Sequence, residues 1–186
     1  MKKLKLGMVG GGQGAFIGGV HRIAARMDDR WELVSGALSS NKERAKVSAD
    51  EIGLVRSYSS FEEMAKVEGS LEDGIDAVSI VTPNNVHSAP VIAFLNAGIH
   101  VICDKPLAAT MEQANQISES VEKSEARFFL THNYTAYPLI RQAQKLVKEG
   151  ALGRIRVVQS EYVQDWLTNE TSNRQADWRT DPKQSG

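Results

Sequence analysis

Short apolar runs alternate along this chain with longer segments in which apolar residues recur every three or four positions. Runs of the first kind predict β-strands, and segments of the second kind predict α-helices. The strands are predicted over residues 4–9, 31–38, 55–58, 76–81, 99–103 and 127–131, with helices between them. Regular alternation of strands and helices is typical of a parallel sheet with crossover helices. We therefore predict an α/β fold built on a doubly wound parallel sheet.

Polar residues at the predicted helix starts support these assignments. Asn41 is a good N-cap residue, and the pairs Ser60 with Glu63 and Thr110 with Gln113 have the spacing of capping boxes. Each of these signals places the start of a helix immediately after its cap. The first helix is expected to bury one apolar face, formed by Ile17, Val20, Ala24 and Met27.

The pattern changes after residue 131. A helix is predicted over 138–149, followed by a strand-like stretch over 154–163 and a polar tail over 165–186. One long strand and a tail cannot form a sheet with its own core. We therefore predict two domains, residues 1–131 and residues 132–186, the second being the incomplete start of an α+β substrate or oligomerisation domain.

The composition excludes several classes of function. The 186 residues are 41% hydrophobic and 24% charged, with a formal net charge of −1, a balance typical of globular proteins. Without a basic stripe or a long apolar stretch, we expect no nucleic-acid partner, no membrane partner and a cytoplasmic location. The single cysteine, Cys103, fits a reducing compartment. Four scattered histidines and one cysteine lack metal-ligand spacing, so we expect no metal.

A glycine-rich turn follows the first strand. Residues 10–15 fit the pattern G-x-G-x-x-A between a strand and a helix. Glycine lets the backbone turn sharply, and a pyrophosphate can then approach the amides at the helix N-terminus. The alternative is a flexible loop without a ligand. We predict an NAD(P)-binding Rossmann domain over residues 1–131, with cofactor contacts from Gly10, Gly12, Gly14, Ala15, Phe16 and Ile17.

The end of the second strand bears on the choice between NAD and NADP. An Asp or Glu at this place would bind the ribose 2′-hydroxyl of NAD. Here the chain has Ser39, followed by Ser40, Asn41 and Lys42, with Arg44 close behind. Hydroxyls and two cations without a carboxylate suit a 2′-phosphate, so we favour NADP. The alternative is an ordinary helix N-terminus with solvated charges, and NAD stays open.

Two further segments lie where strands of this fold end. They are Thr82-Pro83-Asn84-Asn85-Val86-His87 and Asp104-Lys105-Pro106. Together with the glycine turn, their order and spacing closely resemble the Gfo/Idh/MocA family, the glucose–fructose oxidoreductase and inositol dehydrogenase type. The resemblance extends over the entire chain, with further similar stretches at 131–134, 137–138, 150–153 and 178–179.

The resemblance implies a role for each segment. Lys105 would stand beside the nicotinamide and the substrate hydroxyl and handle the proton that accompanies hydride transfer. Asp104 replaces the more common Glu and would order the lysine or the nicotinamide ribose, and the bond before Pro106 could be cis. The implied cofactor contacts are Thr82, Pro83, Asn84, His87, Asp104 and Lys105. The implied substrate contacts are Lys105, His132 and Asn133.

Several of these residues also have a purely structural interpretation. Lys105 could be an ordinary exposed lysine at a strand end, and His87 could simply begin the helix that continues through Pro90. His21, on the first helix, is interpreted as structural. A third set of residues suits an oligomer surface as well as a substrate pocket: Asp165, Trp166, Trp178 and Arg179.

The resemblance also implies the activity of the whole protein. It would be an NAD(P)-dependent dehydrogenase that moves a hydride between nicotinamide and a carbinol carbon of a sugar, cyclitol or related polyol, as a homodimer or homotetramer. The family's D-x-x-x-H pair would lie beyond Gly186, so we expect this chain to be a truncated and largely inactive form. The alternative is a non-catalytic, dinucleotide-binding regulatory module of the same fold.

Overall fold

A computed structural model describes residues 2–165, 168 and 179–185 of the chain. The strands are β1 (Leu4–Gly10), β2 (Trp31–Ala37), β3 (Arg56–Ser57), β4 (Ala77–Val81), β5 (His100–Cys103) and β6 (Phe128–Leu130). The helices are α1 (Phe16–Met27), α2 (Lys42–Glu51), α3 (Phe61–Glu68), α4 (Ser88–Asn96), α5 (Met111–Lys123), α6 (Pro138–Lys148) and the short α7 (Pro182–Ser185). Two 3₁₀ turns cover Asn84–Val86 and Asn133–Ala136.

The six strands form one parallel sheet in the order β3-β2-β1-β4-β5-β6. This arrangement confirms the predicted doubly wound fold. The strand order reverses between β1 and β4, where Gly10 pairs with Val81, and Ile80 pairs with Cys103 on the next strand. Ligands of doubly wound sheets bind outside the carboxyl ends of the strands at this point of reversal. The glycine turn and the Lys105 segment both lie at these ends.

The sheet and the helices enclose an apolar core. All five residues of β4 are buried, which agrees with a central parallel strand covered on both faces. Phe94 of α4 is fully buried against this core. Among the described residues, no helix is long and apolar enough to cross a membrane.

The predicted helix caps form, with one difference in detail. The side chains of Ser60 and Thr110 accept hydrogen bonds from the amides of Glu63 and Gln113, each at 3.2 Å. The return bonds of a capping box normally reach the amide of the cap residue itself. Here Glu63 and Gln113 reach one residue further back, to the amides at positions 59 and 109.

Only Ile17 of the predicted apolar face of α1 packs against the core, and the prediction is wrong for the other three residues. Val20 and Met27 are 41% and 79% exposed, and Ala24 is exposed as well. The helix is instead buried at Gly18, with His21 half-buried on the same side. A glycine allows the helix to approach the glycine turn closely, and this approach decides which side of α1 faces the protein.

A buried ion pair joins β3 to α3. The Glu68 side chain is fully buried and accepts two bonds from the Arg56 guanidinium, at 2.8 and 2.9 Å, and one from the Tyr58 hydroxyl at 2.8 Å. Burial alone would raise the pKa of Glu68, but these hydrogen bonds outweigh it and the pKa is lowered. Burial and the bond to Glu68 raise the pKa of Tyr58 to about 12.

The described residues divide into two compact units. Residues 2–131 and 179–185 form the first, and residues 132–165 with 168 form the second. In the second unit, Pro138 stands at the start of α6, where its fixed φ suits a helix and its missing amide hydrogen is not needed. The strand predicted over 154–163 is wrong, because no neighbouring strand of the described residues supplies a ladder of hydrogen bonds to it.

Candidate active site

The glycine turn brings α1 against the end of β1. Gly10, Gly11 and Gly14 have φ angles of 80°, 75° and 75°, a region that favours glycine. A Cβ on Gly18 would stand 2.5 Å from the Cα of Gly11. A Cβ on Gly12 would stand 2.7 Å from the Leu38 carbonyl oxygen and 2.8 Å from the Ser48 hydroxyl. The turn therefore has the tight packing that a dinucleotide-binding turn requires.

Protein groups fix the turn before any ligand arrives. The Gly12 amide donates to the Leu38 carbonyl at 3.2 Å, and the Gln13 amide donates to the Ser48 hydroxyl at 3.0 Å. The Arg22 guanidinium donates to the Gly11 carbonyl at 3.0 Å. Burial, followed by the charge of Arg26, lowers the pKa of Arg22.

The amides available to an anion are those of the first helical turn. The first amides of an α-helix have no intrahelical acceptor, and in α1 these include Phe16 and Ile17. The positive end of the helix dipole adds to the attraction of a phosphate. Tight packing at Gly11, Gly12 and Gly18 lets a diphosphate come close to these amides. The residues present therefore fit a dinucleotide.

The predicted ribose-binding residues lie at the end of β2. Ser39 is half-buried and its hydroxyl accepts from the Asn41 amide at 3.2 Å, while Ser40 is exposed. Arg44 is exposed on the first turn of α2, close in sequence to the exposed Glu43. A cation and a carboxylate thus share the first turn of this helix.

Thr82, Pro83, Asn84 and His87 follow β4 and were predicted to contact the cofactor. Two of them, Asn84 and His87, are buried. Asn84 is 8% exposed, and its side-chain amide donates to the Ser185 carbonyl at 2.8 Å. The His87 ring is fully buried between two backbone carbonyls. Thr82 is half-buried and Pro83 is exposed. This geometry favours the structural interpretation of His87, and Thr82 and Pro83 are the members that a ligand can reach.

The Asp104 carboxylate is turned towards protein groups. It accepts from the Thr131 hydroxyl at 2.8 Å and lies 3.6 Å from His21 Nε2. His21 Nδ1 lies 2.8 Å from the hydroxyl of Ser79. Burial alone would raise the pKa of Asp104, but His21 and Thr131 outweigh it and the pKa is lowered. Ser79 is only 2% exposed, so this Ser–His–Asp arrangement does not offer a nucleophile to substrate.

Lys105 follows directly and is exposed. Within the part of the chain that the structure describes, its ammonium forms no hydrogen bond or ion pair. The Lys105–Pro106 peptide bond is cis, as predicted. The free thiol of Cys103 is buried, and burial, followed by the charge of Asp104, raises its pKa to about 12.

The predicted substrate contacts belong to different parts of the chain. His132 and Asn133 are exposed in the second unit, where Asn133 lies 3.5 Å from the Tyr137 hydroxyl. Arg179 is in the first unit, where burial lowers its pKa and the charge of Asp104 opposes that shift. Trp166 and Trp178 lie outside the described residues. Among the described residues, no group of three or more His, Cys, Asp or Glu side chains could hold a metal.

Sequence reasoning missed the groups that support the turns. Ser48 lies in the middle of α2 with an ordinary helical pattern, and no local signal links it to the glycine turn. Arg22 lies one helical turn after Gly18. From this position its long side chain reaches back to the Gly11 carbonyl in the glycine turn. His21 was interpreted as structural, and its position beside Asp104 is a contact between segments that the sequence does not reveal.

Comparison with known proteins agrees with this geometry. The family described as "Oxidoreductase family, NAD-binding Rossmann fold" matches residues 4–132, and the "GFO/IDH/MocA C-terminal domain" matches residues 140–186. The levoglucosan dehydrogenase of Pseudarthrobacter phenanthrenivorans is 31% identical over 92% of this chain and 44% of its own length.

Solved structures show the same likeness. An oxidoreductase from Sinorhizobium meliloti is 56% identical with a TM-score of 0.84, over 90% of this chain and 47% of that one. An inositol dehydrogenase homologue from Azotobacter vinelandii, complexed with NAD⁺, is 34% identical with a TM-score of 0.90, over 100% of this chain and 49% of that one. Its complex with NADH and myo-inositol is 36% identical, with a TM-score of 0.76, over 83% and 41% of the two chains.

The chain spans about half the length of the curated relatives it matches, 49% and 44% of the first two. The match nevertheless includes both the glycine turn and the Lys105 segment. The chain belongs to the Gfo/Idh/MocA family of oxidoreductases with an NAD-binding Rossmann fold.

Proposed function

We propose that the protein carrying this chain is an NAD(P)-dependent dehydrogenase acting on a carbinol carbon of a sugar, cyclitol or related polyol. The observation that carries the proposal is an exposed lysine, Lys105, on a fixed turn at the carboxyl end of β5. The end of β1, with its glycine turn, lies across β4 from this lysine. Relatives named as a levoglucosan dehydrogenase and an inositol dehydrogenase homologue support the substrate class.

Each part of the site has a role in this proposal. The amides of Phe16 and Ile17 bind the diphosphate at the N-terminus of α1. Thr82 and Pro83 line the path towards the nicotinamide, which supplies the hydride-accepting or hydride-donating carbon. The side-chain nitrogen of Lys105 binds the substrate hydroxyl: as the neutral amine it accepts the hydroxyl proton during oxidation, and as the ammonium it returns that proton during reduction. His132 and Asn133 are proposed to contact the substrate.

The cofactor choice rests on the end of β2. Ser39, Ser40 and Arg44 favour NADP, because a hydroxyl pair and a guanidinium suit a 2′-phosphate. Glu43 on the same helical turn works against it, and the related solved structures hold NAD⁺ or NADH. We propose binding of both dinucleotides with a preference for NADP. Replacing Arg44 by Ala should weaken NADPH binding about tenfold and leave NADH binding unchanged, because only NADPH carries the phosphate that this cation would pair with.

The activity is tested by cofactor reduction. With NAD⁺ or NADP⁺ and a panel of cyclitols and sugars, absorbance at 340 nm should rise for the protein carrying this chain. The Lys105→Ala variant should lose about 10²–10⁴-fold in kcat while it keeps dinucleotide affinity, as expected for loss of an acid–base group. An equal rate in the variant would show that this lysine has no chemical task. Dinucleotide binding without any turnover in the wild type would favour the non-catalytic regulatory module.

A further inference from the structure

His87 connects the two loops that frame the reactive lysine. Its ring is 0% exposed. Nδ1 lies 2.8 Å from the Pro106 carbonyl oxygen, and Nε2 lies 3.0 Å from the Thr82 carbonyl oxygen. Both partners are carbonyl oxygens, so a ring with one N–H donates to only one of them. His87 belongs to the segment that begins at Thr82, and a hydrogen bond from Nδ1 to the Pro106 carbonyl therefore cross-links this segment to the Lys105 turn.

The cross-link lies just beyond the end of the sheet. The Asp104 amide still donates to the Ile80 carbonyl at 2.9 Å, which continues the pairing of β4 with β5. Beyond this bond, the segments that follow β4 and β5 no longer pair with each other. Thr82 continues from β4 and Pro106 follows Lys105, and the His87 ring lies between their carbonyl oxygens. Lys105 therefore stands between two fixed neighbours, with Asp104 held by Thr131 and Pro106 held by His87.

A fixed backbone at Lys105 is important because the lysine side chain itself is exposed. A long, flexible side chain reaches a productive geometry only when its backbone is already placed, and a displacement of about 1 Å can cost about 10²-fold in rate. The described residues leave the Lys105 ammonium without a hydrogen bond or ion pair of its own. Its position is therefore set by the turn, and the turn is set in part by His87.

We propose that His87 is a positioning residue for Lys105, acting through a hydrogen bond from Nδ1 to the Pro106 carbonyl. This inference rests on the proposed function, in which Lys105 meets a bound nicotinamide. A ring that merely fills space would tolerate any replacement of similar size in the same way. If the ring positions the lysine, a replacement preserves this effect only when it keeps an N–H donor at the place of Nδ1.

Two substitutions separate these cases. The amide nitrogen of Asn in His87→Asn lies near the position of Nδ1 and can still donate to Pro106. The amide nitrogen of Gln in His87→Gln lies near the position of Nε2 and can donate only towards Thr82. Asn85→Ala, an exposed neighbour in the same segment, is the matched control.

The readout is acetylation of Lys105 by an amine reagent, with and without saturating NADH, quantified by mass spectrometry relative to the exposed Lys66. NADH should protect Lys105 in the wild-type chain, in Asn85→Ala and in His87→Asn. Protection should be lost in His87→Gln, although NADH still binds with unchanged affinity. Equal protection in the Asn and Gln variants would overturn the inference. Absence of protection in the wild-type chain would overturn the proposed function, and the inference with it.

A second measurement uses the wild-type chain and does not depend on a folded variant. The ¹⁵N spectrum of the histidine rings shows whether each nitrogen carries a hydrogen. The proposal requires a hydrogen on Nδ1 of His87, since only an N–H can donate to the Pro106 carbonyl. A bare, pyridine-type Nδ1 in the folded chain would overturn it.

Discussion

Residues 2–131 and residues 132–165 both contain local structure signals, yet they differ in what those signals produce. In the first segment, β4 buries all its apolar side chains, and α4 buries Val91, Phe94 and Leu95. In the second, α6 forms where its sequence predicts a helix, but Leu139 is 81% exposed and the described part contains no buried residue. The difference teaches that propensity and capping specify an element, while burial requires a partner surface.

The largest expected effect is the contrast between two apolar residues. Phe94→Ala should lower the free energy of unfolding by about 3–5 kcal/mol, because it empties a fully buried site. Leu139→Ala should change it by less than about 0.5 kcal/mol, because that side chain is already solvated. Urea denaturation followed by circular dichroism measures both. Comparable losses would show that α6 is packed in solution.

The next effect concerns the buried carboxylate of the first segment. Glu68→Gln should cost about 2–3 kcal/mol, because it removes the charge from the bonds with Arg56 and Tyr58. The pKa of Glu68 is below its ordinary value of 4.5. The stability it contributes is therefore present above pH ~4.5 and is lost as the pH falls through its folded value. Unfolding free energies between pH 7 and 3 should fall more steeply for the wild-type chain than for the variant; parallel curves would contradict this.

A smaller effect separates two adjacent glycines of α1. Gly18→Ala should cost about 1–3 kcal/mol and weaken NADH binding, because its Cβ would meet the Gly11 backbone. At Gly19 the nearest atom to a Cβ is a guanidinium nitrogen of Arg22 at 3.9 Å. Gly19→Ala should therefore stabilise the chain by up to about 1 kcal/mol, from helix propensity alone. Thermal unfolding and an NADH titration test the pair, and equal losses at both positions would contradict the tight packing at Gly18.

The smallest effect compares two helix starts. Thr110 caps α5 with a hydrogen bond to the Gln113 amide, so Thr110→Ala should cost about 1 kcal/mol. Tyr137 stands at the same position of α6 without a capping bond from its side chain. Tyr137→Ala should leave the helix content of the chain unchanged. A loss of helical circular dichroism in the Tyr137 variant but not in the Thr110 variant would reverse the comparison.

The sequence predicted the elements whose cause is local. Alternating runs located all six strands to within a few residues, and Asn41, Ser60 and Thr110 each located a helix start. The order of glycine turn, Thr82 segment and Lys105 segment led to the family. These successes depend on signals between residues close together in the chain.

Features that depend on contacts between distant segments were not predictable. The buried side of α1 is set by the approach of Gly18 to Gly11, so a count of apolar residues wrongly predicted that Val20, Ala24 and Met27 are buried. Asp104 was expected to face the lysine or a ribose, but a hydroxyl from β6 and a histidine from α1 hold it. The contacts of Ser48 with the glycine turn have the same origin. A pattern of spacing cannot show which side chains two elements bring together.

The account depends on a dinucleotide lying with its diphosphate at the start of α1 and its nicotinamide at Lys105. A crystal structure of the chain with NADH or NADPH tests this most directly. We predict phosphate oxygens within about 3 Å of the Phe16 and Ile17 amides and the Lys105 ammonium within about 3–4 Å of the nicotinamide side of the ligand. A bound dinucleotide whose ring lies well away from Lys105, with that ammonium directed into solvent, would contradict the proposed chemistry.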